Sequence, residues 1–378
     1  MFARFAILGL ILFAGFAAGQ DKLYPEATSG KGKVSYVNGF LVIVLQGTPE
    51  EIGTQYGELV LKPAKPLIGR VDKYMVQIGW EKVFPTMVKL SGLVFINFPA
   101  DQQKEVSTAA KIAGVDKNLL TALNAIPDLA KLGGCSTLVV EPNRSQTEGP
   151  LFGRNLDWPP FEGLPEFTSV IVFKPKGKQA FAAVTFPVLI GCLSGMNEAG
   201  LSLAINEITE SKDKSTGRNI TGTPMMMLFR RILEECKTID EAEAILKKAD
   251  RTTWFCLTLC DPKSSCVLEV TPKNVVRRSA IQDVCCCTNH FRTDELSLTK
   301  KCDRYPKLEA IQTGKQKLGV KEVFTALGEV HQDNHTVQSM IFEPKALTVH
   351  VSKGTGTKSA TEIPLTKIDL KPFFQNNQ

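Results

Sequence analysis

The sequence predicts an α+β protein built as a layered sandwich, and three observations predict it. Downstream of Cys135, short β-prone segments recur around turn residues, as successive hairpins do. The helical patterns there come in groups instead of alternating with single strands, which argues against a parallel βαβ fold. Upstream of Cys135 the periodicity is mostly helical, so the chain changes character abruptly at that residue.

In chain order, residues 1–19 combine a charged start, an apolar centre and the small residues Ala17, Ala18 and Gly19, the pattern of a secretory signal peptide. The apolar run is shorter than the roughly 20 residues a spanning helix needs, and no later segment is long and apolar enough to span. Residues 20–39 read as polar and irregular, and 40–47 as a short strand. Thr48, Pro49 and Glu51 then give a helix start with a capping residue, a proline at the first helical position and a glutamate three after the cap. Helical patterns continue over 66–80, 83–98, 101–114 and 116–132. The phenylalanines in the middle of this stretch, Phe84, Phe95 and Phe98, read as packing against the rest of the protein, with a lipid-accepting surface as the alternative.

After Cys135, the segments 136–141 and 151–158, 169–174 and 180–186, and 188–196 and 201–208 read as three antiparallel hairpins. Two helices follow over 223–235 and 238–249, the first opened by Thr223 and Pro224, the second by a capping box of Thr238 and Glu241. Strands resume at 254–261, 265–272 and 283–290, then helices near 304–312 and 321–329, and a closing hairpin of 336–344 and 347–354.

With 378 residues, 43% hydrophobic and 22% charged, the chain is long enough for a sizeable core in one large or two moderate domains. Its net charge of +6 comes from interspersed lysines and arginines. That supports no nucleic-acid partner, and at most weak contact with an anionic membrane surface. All ten cysteines lie at or after Cys135. The set Cys256, Cys260, Cys266 and the run Cys285, Cys286, Cys287 fit buried thiols or one or two bridges in an exported protein. A zinc site near His290 is the sharper reading, but the paired short spacings of structural zinc sites are missing. His331, His335 and His350 offer no metal-ligand spacing, and no phosphate-cradling glycine loop is present, so no metal and no cofactor is expected.

Cys135 follows Gly133 and Gly134, opens a β-prone run, and is answered 19 and 22 residues later by Arg154 and Asp157. This layout suits a self-cleaving nucleophile. A preceding glycine tolerates unusual backbone angles while the peptide strains toward its own downstream thiol. Once the Gly134–Cys135 bond breaks, Cys135 carries both a thiol and an α-amine with a pKa near 8, which serves as base for its own side chain. Pairing of the first two strands brings Arg154 and Asp157 beside Cys135, where a guanidinium favours the thiolate and a carboxylate orients the amine.

These residues resemble the cysteine N-terminal nucleophile hydrolases, the family of choloylglycine hydrolase, penicillin V acylase, acid ceramidase, N-acylethanolamine acid amidase and isopenicillin-N acyltransferase, and most of all its last branch. The resemblance runs through the segments 47–59, 134–140, 153–158, 195–207, 288–293 and 303–311 to the final hairpin. It implies a four-layer αββα sandwich preceded by a helical pro-segment. It also implies Cys135 as nucleophile and processing residue, Arg154 and Asp157 as its positioners, Asn206 as the oxyanion-stabilising asparagine, Asn289 as a second asparagine near the nucleophile, and Arg304 as a supporting arginine. Asparagine in a turn accounts for Asn197 but not for Asn206, which ends an apolar strand. The first hairpin is longer than in the bile-salt hydrolases and the cysteines are more numerous.

The expected organisation is therefore a signal peptide over 1–19, a helical pro-segment over 20–134 that becomes an α-subunit after self-cleavage, and a catalytic domain over 135–378. The expected function is that of an exported cysteine amidohydrolase or acyltransferase, secreted, periplasmic or in a lysosome-like lumen. It would act on a linear non-peptide amide, an N-acyl amine or N-acyl amino acid with a hydrophobic acyl group, through a thioester on Cys135, with its two fragments staying associated. Two alternatives stand beside it: a papain-like pair of Cys135 and His290, and a non-catalytic exported binding protein. Papain-like nucleophiles open a helix, whereas Cys135 opens a strand. A binding module has no need of Gly134, Cys135, Arg154, Asp157 and Asn206 as a set.

Overall fold

The computed structural model describes residues 23–131, 133–159, 161 and 163–375; the expected signal peptide and its cleavage lie outside them. The strands are β1 (Ala27–Ser29), β2 (Gly32–Val37), β3 (Phe40–Gly47), β4 (Gly134–Val140), β5 (Leu151–Asp157), β6 (Ser169–Pro175), β7 (Phe181–Thr185), β8 (Ser194–Asn197), β9 (Ser202–Glu207), β10 (Phe255–Cys260), β11 (Ser265–Val270), β12 (Val275–Ser279), β13 (Val284–Cys287), β14 (Thr336–Glu343), β15 (Thr348–Lys353) and β16 (Thr366–Asp369). The helices are α1 (Pro49–Gln55), α2 (Lys65–Ile68), α3 (Val71–Gln77), α4 (Phe84–Phe95), α5 (Ala100–Ala113), α6 (Lys117–Ala130), α7 (Met225–Glu235), α8 (Ile239–Lys248), α9 (Tyr305–Thr313), α10 (Val320–Gly328) and α11 (Lys371–Phe374).

Among the described residues the strands form two sheets, one in the order β1-β2-β3-β6-β7-β8-β9-β10-β11-β12 and one in the order β13-β4-β5-β14-β15-β16. Side-chain alternation on the strands separates three buried layers. Val42, Val172, Ala204 and Cys256 of the large sheet meet Val139, Phe152, Cys287 and Phe342 of the small one between the sheets. Ile43, Phe173, Leu203 and Leu257 bury the large sheet's other face against Ile52, Val106, Phe229 and Leu246 from helices. Leu138, Leu151 and Ile341 do the same for the small sheet against Leu308, Val323 and Leu327. The result is the αββα sandwich, with mixed α and β content and a largely helical N-terminal region.

That region is not a separate body. It contributes β1, β2 and β3, and β3 runs parallel beside β6, from Val42 opposite Val170 to Gly47 opposite Pro175. The expectation of an irregular 20–39 is thus corrected. Val34, buried in the polar stretch, and the partial burial of Ser35, Tyr36 and Val37 are enough for an outer strand, which needs only one apolar face.

Capping at Thr48 is as expected, with reciprocal bonds to Glu51. At Thr238 the hydroxyl accepts Glu241 N–H, but the glutamate reaches Lys237 N–H at 2.6 Å instead of closing the box. The Thr223–Pro224 start is also corrected: Pro224 is the cap residue, and Met225 N–H is taken by Asp128 at 3.0 Å. The strand expected over 188–196 narrows to β8, because Ile190 and Gly191 donate their N–H groups to the Asn124 side chain rather than to a neighbouring strand. Phe84 and Phe98 are buried in the core, and Phe95 packs against Phe98 with ring centroids 5.5 Å apart. All ten cysteines are unpaired thiols, nine buried and Cys302 half-buried. Among the described residues no helix is long and apolar enough to cross a membrane, and no cluster of His, Cys, Asp or Glu could hold a metal ion.

Candidate active site

The first two strands of the small sheet pair so that Gly134 lies opposite Asp157, Cys135 opposite Leu156 and Thr137 opposite Arg154. Successive strand residues face opposite sides. Arg154 and Leu156 therefore share the inter-sheet face with Cys135 and Thr137, while Asp157 points the other way, with Ser136, toward Arg304. Arg154 and Asp157 thus act on Cys135 from its two sides.

On the inner side, Cys135 is 1% exposed, and burial pushes its thiol up to about 11 while the charge of Arg154 pulls it down. Arg154 is fully buried. Its Nε donates to Ser194 Oγ at 3.1 Å and its Nη1 to the carbonyl of Ile205 at 2.7 Å, so it spans from one sheet to the other. Among the described residues its Nη2 meets no hydrogen-bonding N or O, and its side chain bears on the Cys135 thiol. Across the layer stands Asn206, held only through its Oδ1, which accepts from Thr137 Oγ1 at 3.4 Å. Its Nδ2 is buried with no partner among the described residues.

On the other side, a dense network grips the peptide of Cys135. β13 pairs with β4 so that Cys287 faces Thr137, and that register carries Asn289 to the level of Cys135. Asn289 Oδ1 accepts the Cys135 N–H at 2.8 Å and Arg304 Nη2 at 2.7 Å, while its Nδ2 donates to the Glu207 carbonyl at 2.9 Å. Arg304, just ahead of α9, gives Nη1 to the Cys135 carbonyl at 2.8 Å, to Ser136 Oγ at 3.0 Å and to Asp157 Oδ2 at 3.3 Å. Burial pushes the Asp157 carboxyl upward; hydrogen bonds and the two arginines oppose this. The six residues singled out in the sequence are therefore brought together. Asp157 reaches the Cys135 peptide through Arg304, not directly.

Gly134 is not needed for its backbone angles: neither it nor Gly133 has a positive φ. Its lack of a side chain leaves room for Gln332: a Cβ there would collide with the Gln332 amide nitrogen and stand 3.3 Å from the Asp157 Cβ, so the glutamine would have to move.

Four residues of the site were missed in the sequence. Ser194 anchors Arg154. Gln332 donates to Asp157 Oδ2 at 2.8 Å and Thr336 to Oδ1 at 2.6 Å. Glu207, nearly fully buried on the face of β9 opposite to Asn206, accepts the Gly133 N–H at 2.7 Å. Burial pushes its carboxyl up to about 7, against the pull of Lys131. The dipeptide Asn206-Glu207 at a strand end was the available signal, since one residue then faces each side of the sheet.

Beside Leu156 lies an apolar cavity of about 80 Å³, lined by Val71, Tyr74 and Met75 of α3, Leu123 and Ile126 of α6, Trp158, Phe161 and residues of the 186–193 segment. Much of its wall thus comes from upstream of Cys135. His290 Nδ1 has no partner among the described residues; burial, Arg292 and Arg304 push its pKa down.

Residues 144–358 match the family model of acyl-coenzyme A:6-aminopenicillanic acid acyl-transferase. The chain belongs to this family. The match includes Arg154, Asp157, Asn206, Asn289 and Arg304, and it begins after Cys135. Amide hydrolysis or acyl transfer is accordingly the general chemistry of this member. No curated protein matches the chain. Solved structures similar to it include a Caenorhabditis elegans N-acylethanolamine-hydrolyzing acid amidase ortholog, at 20% identity and a TM-score of 0.45 over 56% of this chain and 93% of that one. A Clostridium perfringens conjugated bile acid hydrolase variant is similar at 16% identity and 0.46, over 64% and 95%. The Agrobacterium tumefaciens penicillin V acylase follows at 16% and 0.38, over 62% and 86%. These likenesses are too distant to assign a substrate.

Proposed function

We propose that this family member is a cysteine amidohydrolase or acyltransferase that activates itself by cleaving before Cys135. The observation that carries the reading is the double grip on one residue. Asn289 and Arg304 hold the peptide N–H and carbonyl of Cys135, while Arg154 bears on its thiol and Asn206, beside Thr137 in the same layer, has a buried Nδ2 without a partner among the described residues.

In the precursor the Cys135 sulfur attacks the Gly134 carbonyl. The C–N bond breaks, the nitrogen takes up the thiol proton, and the acyl group rests as a thioester. Water then hydrolyses the thioester, leaving Gly134 as a carboxylate and Cys135 as a chain terminus. That segment 20–134 is a separable α-subunit, and 135–378 the catalytic one, is part of this proposal. In turnover, the thiolate attacks the acyl carbonyl of a linear amide, and Asn206 Nδ2 donates to the developing oxyanion, a contact worth about 3 kcal/mol in comparable sites. The α-amine of Cys135 protonates the leaving amine, and water or an acceptor amine releases the acyl group. The substrate is an N-acyl amine or N-acyl amino acid whose hydrophobic acyl group enters the cavity beside Leu156. The N-terminal segment supports export.

The test is the intact mass and N-terminal sequence of purified protein, wild type beside Cys135→Ala, with no added protease. Two fragments in the wild type alone, one starting at Cys135, are expected. A single uncleaved chain in both overturns the self-cleavage reading, and hydrolysis of N-acyl amides by Cys135→Ala overturns the nucleophile.

A further inference from the structure

We infer that Gln332 is a positioning residue for the Cys135 reaction, covering the scissile peptide and fixing the Asp157 carboxylate. This inference rests on the self-cleavage reading above.

Gln332 lies in the short connection between α10 and β14. Its Nε2 donates to Asp157 Oδ2 at 2.8 Å, and its backbone N–H donates at 2.8 Å to Thr336 Oγ1, whose proton goes to Asp157 Oδ1 at 2.6 Å. One residue thus orders both carboxylate oxygens, directly on one and through the Thr336 hydroxyl on the other. The connection is itself braced: His335 N–H returns to the Gln332 carbonyl at 2.9 Å, Asp333 N–H goes to His331 Nδ1 at 3.0 Å, and Asp333 has φ +47°. A left-handed aspartate is a locally costly conformation that surrounding bonds must hold. The His335 carbonyl also accepts the N–H of Trp158 at 2.7 Å, and Trp158 lines the apolar cavity. The same turn therefore sets two consecutive residues, the carboxylate beside the nucleophile and a wall of the cavity.

Gln332 also meets the scissile segment. The space a side chain would take at Gly134 is filled by its amide. Any side chain at residue 134 would therefore push the Gln332 amide out of its place on Asp157.

Three variants test this against the wild type. Gln332→Leu keeps the bulk and removes the donor, and is expected to slow self-cleavage at least tenfold with an unchanged unfolding temperature. It also moves the acid limb of the pH–rate profile upward, because a carboxylate that loses a donor is protonated more readily; Arg304 and Arg154 are the charged groups that bear on that carboxylate. Gln332→Glu moves the limb further in the same direction by placing a second carboxylate against the first. Gly134→Ala is expected to slow processing by a smaller factor in the Gln332→Ala background than in the wild type, since the shortened side chain admits the new methyl. Wild-type rates and an unmoved acid limb in Gln332→Leu, or the same factor for Gly134→Ala in both backgrounds, overturn the inference. Absence of cleavage in the wild type overturns the self-cleavage reading instead, so the two failures are distinct.

Discussion

The side-chain carbonyl of Asn289 accepts the backbone N–H of Cys135, and its Nδ2 donates to the Glu207 carbonyl, so both ends of the amide are engaged. Asn206, whose Nδ2 is buried and unpartnered, is left as the amide with a donor to spare. Under the proposed function the two asparagines would divide their labour: one holds the Cys135 nitrogen, the other keeps a donor for the carbonyl under attack.

Asn206→Ala is accordingly expected to lower kcat by about 100- to 1,000-fold, the loss of one oxyanion donor. The stability loss should be modest, because the deleted Nδ2 has no partner among the described residues and the one bond lost is the 3.4 Å contact from Thr137 Oγ1 to Oδ1. Asn289→Leu should instead impair self-cleavage and stability together, since it strands the Cys135 N–H and one edge of Arg304. Steady-state kinetics beside thermal unfolding separates the two patterns, and a stability loss in Asn206→Ala without a rate effect contradicts the assignment.

Much of this site could be read before any coordinates, and the reasons are local. Hairpin pairing of β4 with β5 follows from alternation and a turn, so the proximity of Arg154 and Asp157 to Cys135 was legible in their spacing. The reason for Gly134 was not. The room it leaves is taken by the Gln332 amide, which joins the site from a turn far along the chain, and no periodicity records such a contact. Glu207 escaped for a different reason: its neighbour Asn206 already explained the strand end, and only the structure shows the glutamate accepting the Gly133 N–H. β12 and β16 were missed because polar residues such as Arg277, Arg278 and Lys367 suit the outer strands of a sheet, where one face is solvated.

The cavity beside Leu156 predicts an acyl-length effect. Leu189 lines it and is only partly buried, so Leu189→Trp fills space without forcing the core apart. KM for long-chain N-acyl amides is expected to rise at least tenfold, while N-acetyl substrates and self-cleavage are unaffected. An equal effect on short and long chains would mean that the acyl group goes elsewhere.

Burial makes the fold sensitive to pH. Glu207 is pushed up to about 7 and Asp128 up to about 6, each mainly by desolvation. Between the ordinary carboxylate range and these values the folded state binds more protons than the unfolded chain, so their contribution is full below about pH 4 and is lost as pH rises toward 7. Thermal unfolding of uncleaved Cys135→Ala should thus fall in midpoint from pH 5 to pH 8. Glu207→Gln, which cannot ionise, should flatten that slope. A steeper slope in the variant would show that Glu207 is not the titrating group.

Arg230 predicts how the two fragments stay together after cleavage. It is fully buried, its Nη2 2.6 Å from Glu105 on α5 and its Nε 2.8 Å from Glu234 on α7, with its guanidinium carbon 4.4 Å above the Phe173 ring. It also donates to the Ile190 carbonyl at 3.2 Å. One side chain thus fastens a helix upstream of the cleavage point to a helix, a strand and a loop downstream of it. Arg230→Met leaves Glu105 buried without its cation and Glu234 with Lys178 alone, 2.8 Å away, which costs about 3–5 kcal/mol where a buried pair is broken from one side. The uncleaved variant should unfold at a lower temperature, and the cleaved variant should release the 20–134 fragment on gel filtration at a denaturant concentration where the wild-type fragments co-elute. The triple variant Arg230→Met, Glu105→Gln, Glu234→Gln should regain part of the loss, because the repulsion is gone with the charges. Co-elution of the cleaved Arg230→Met fragments at every concentration that holds the wild type together would place the fastening elsewhere, in the β3–β6 pairing.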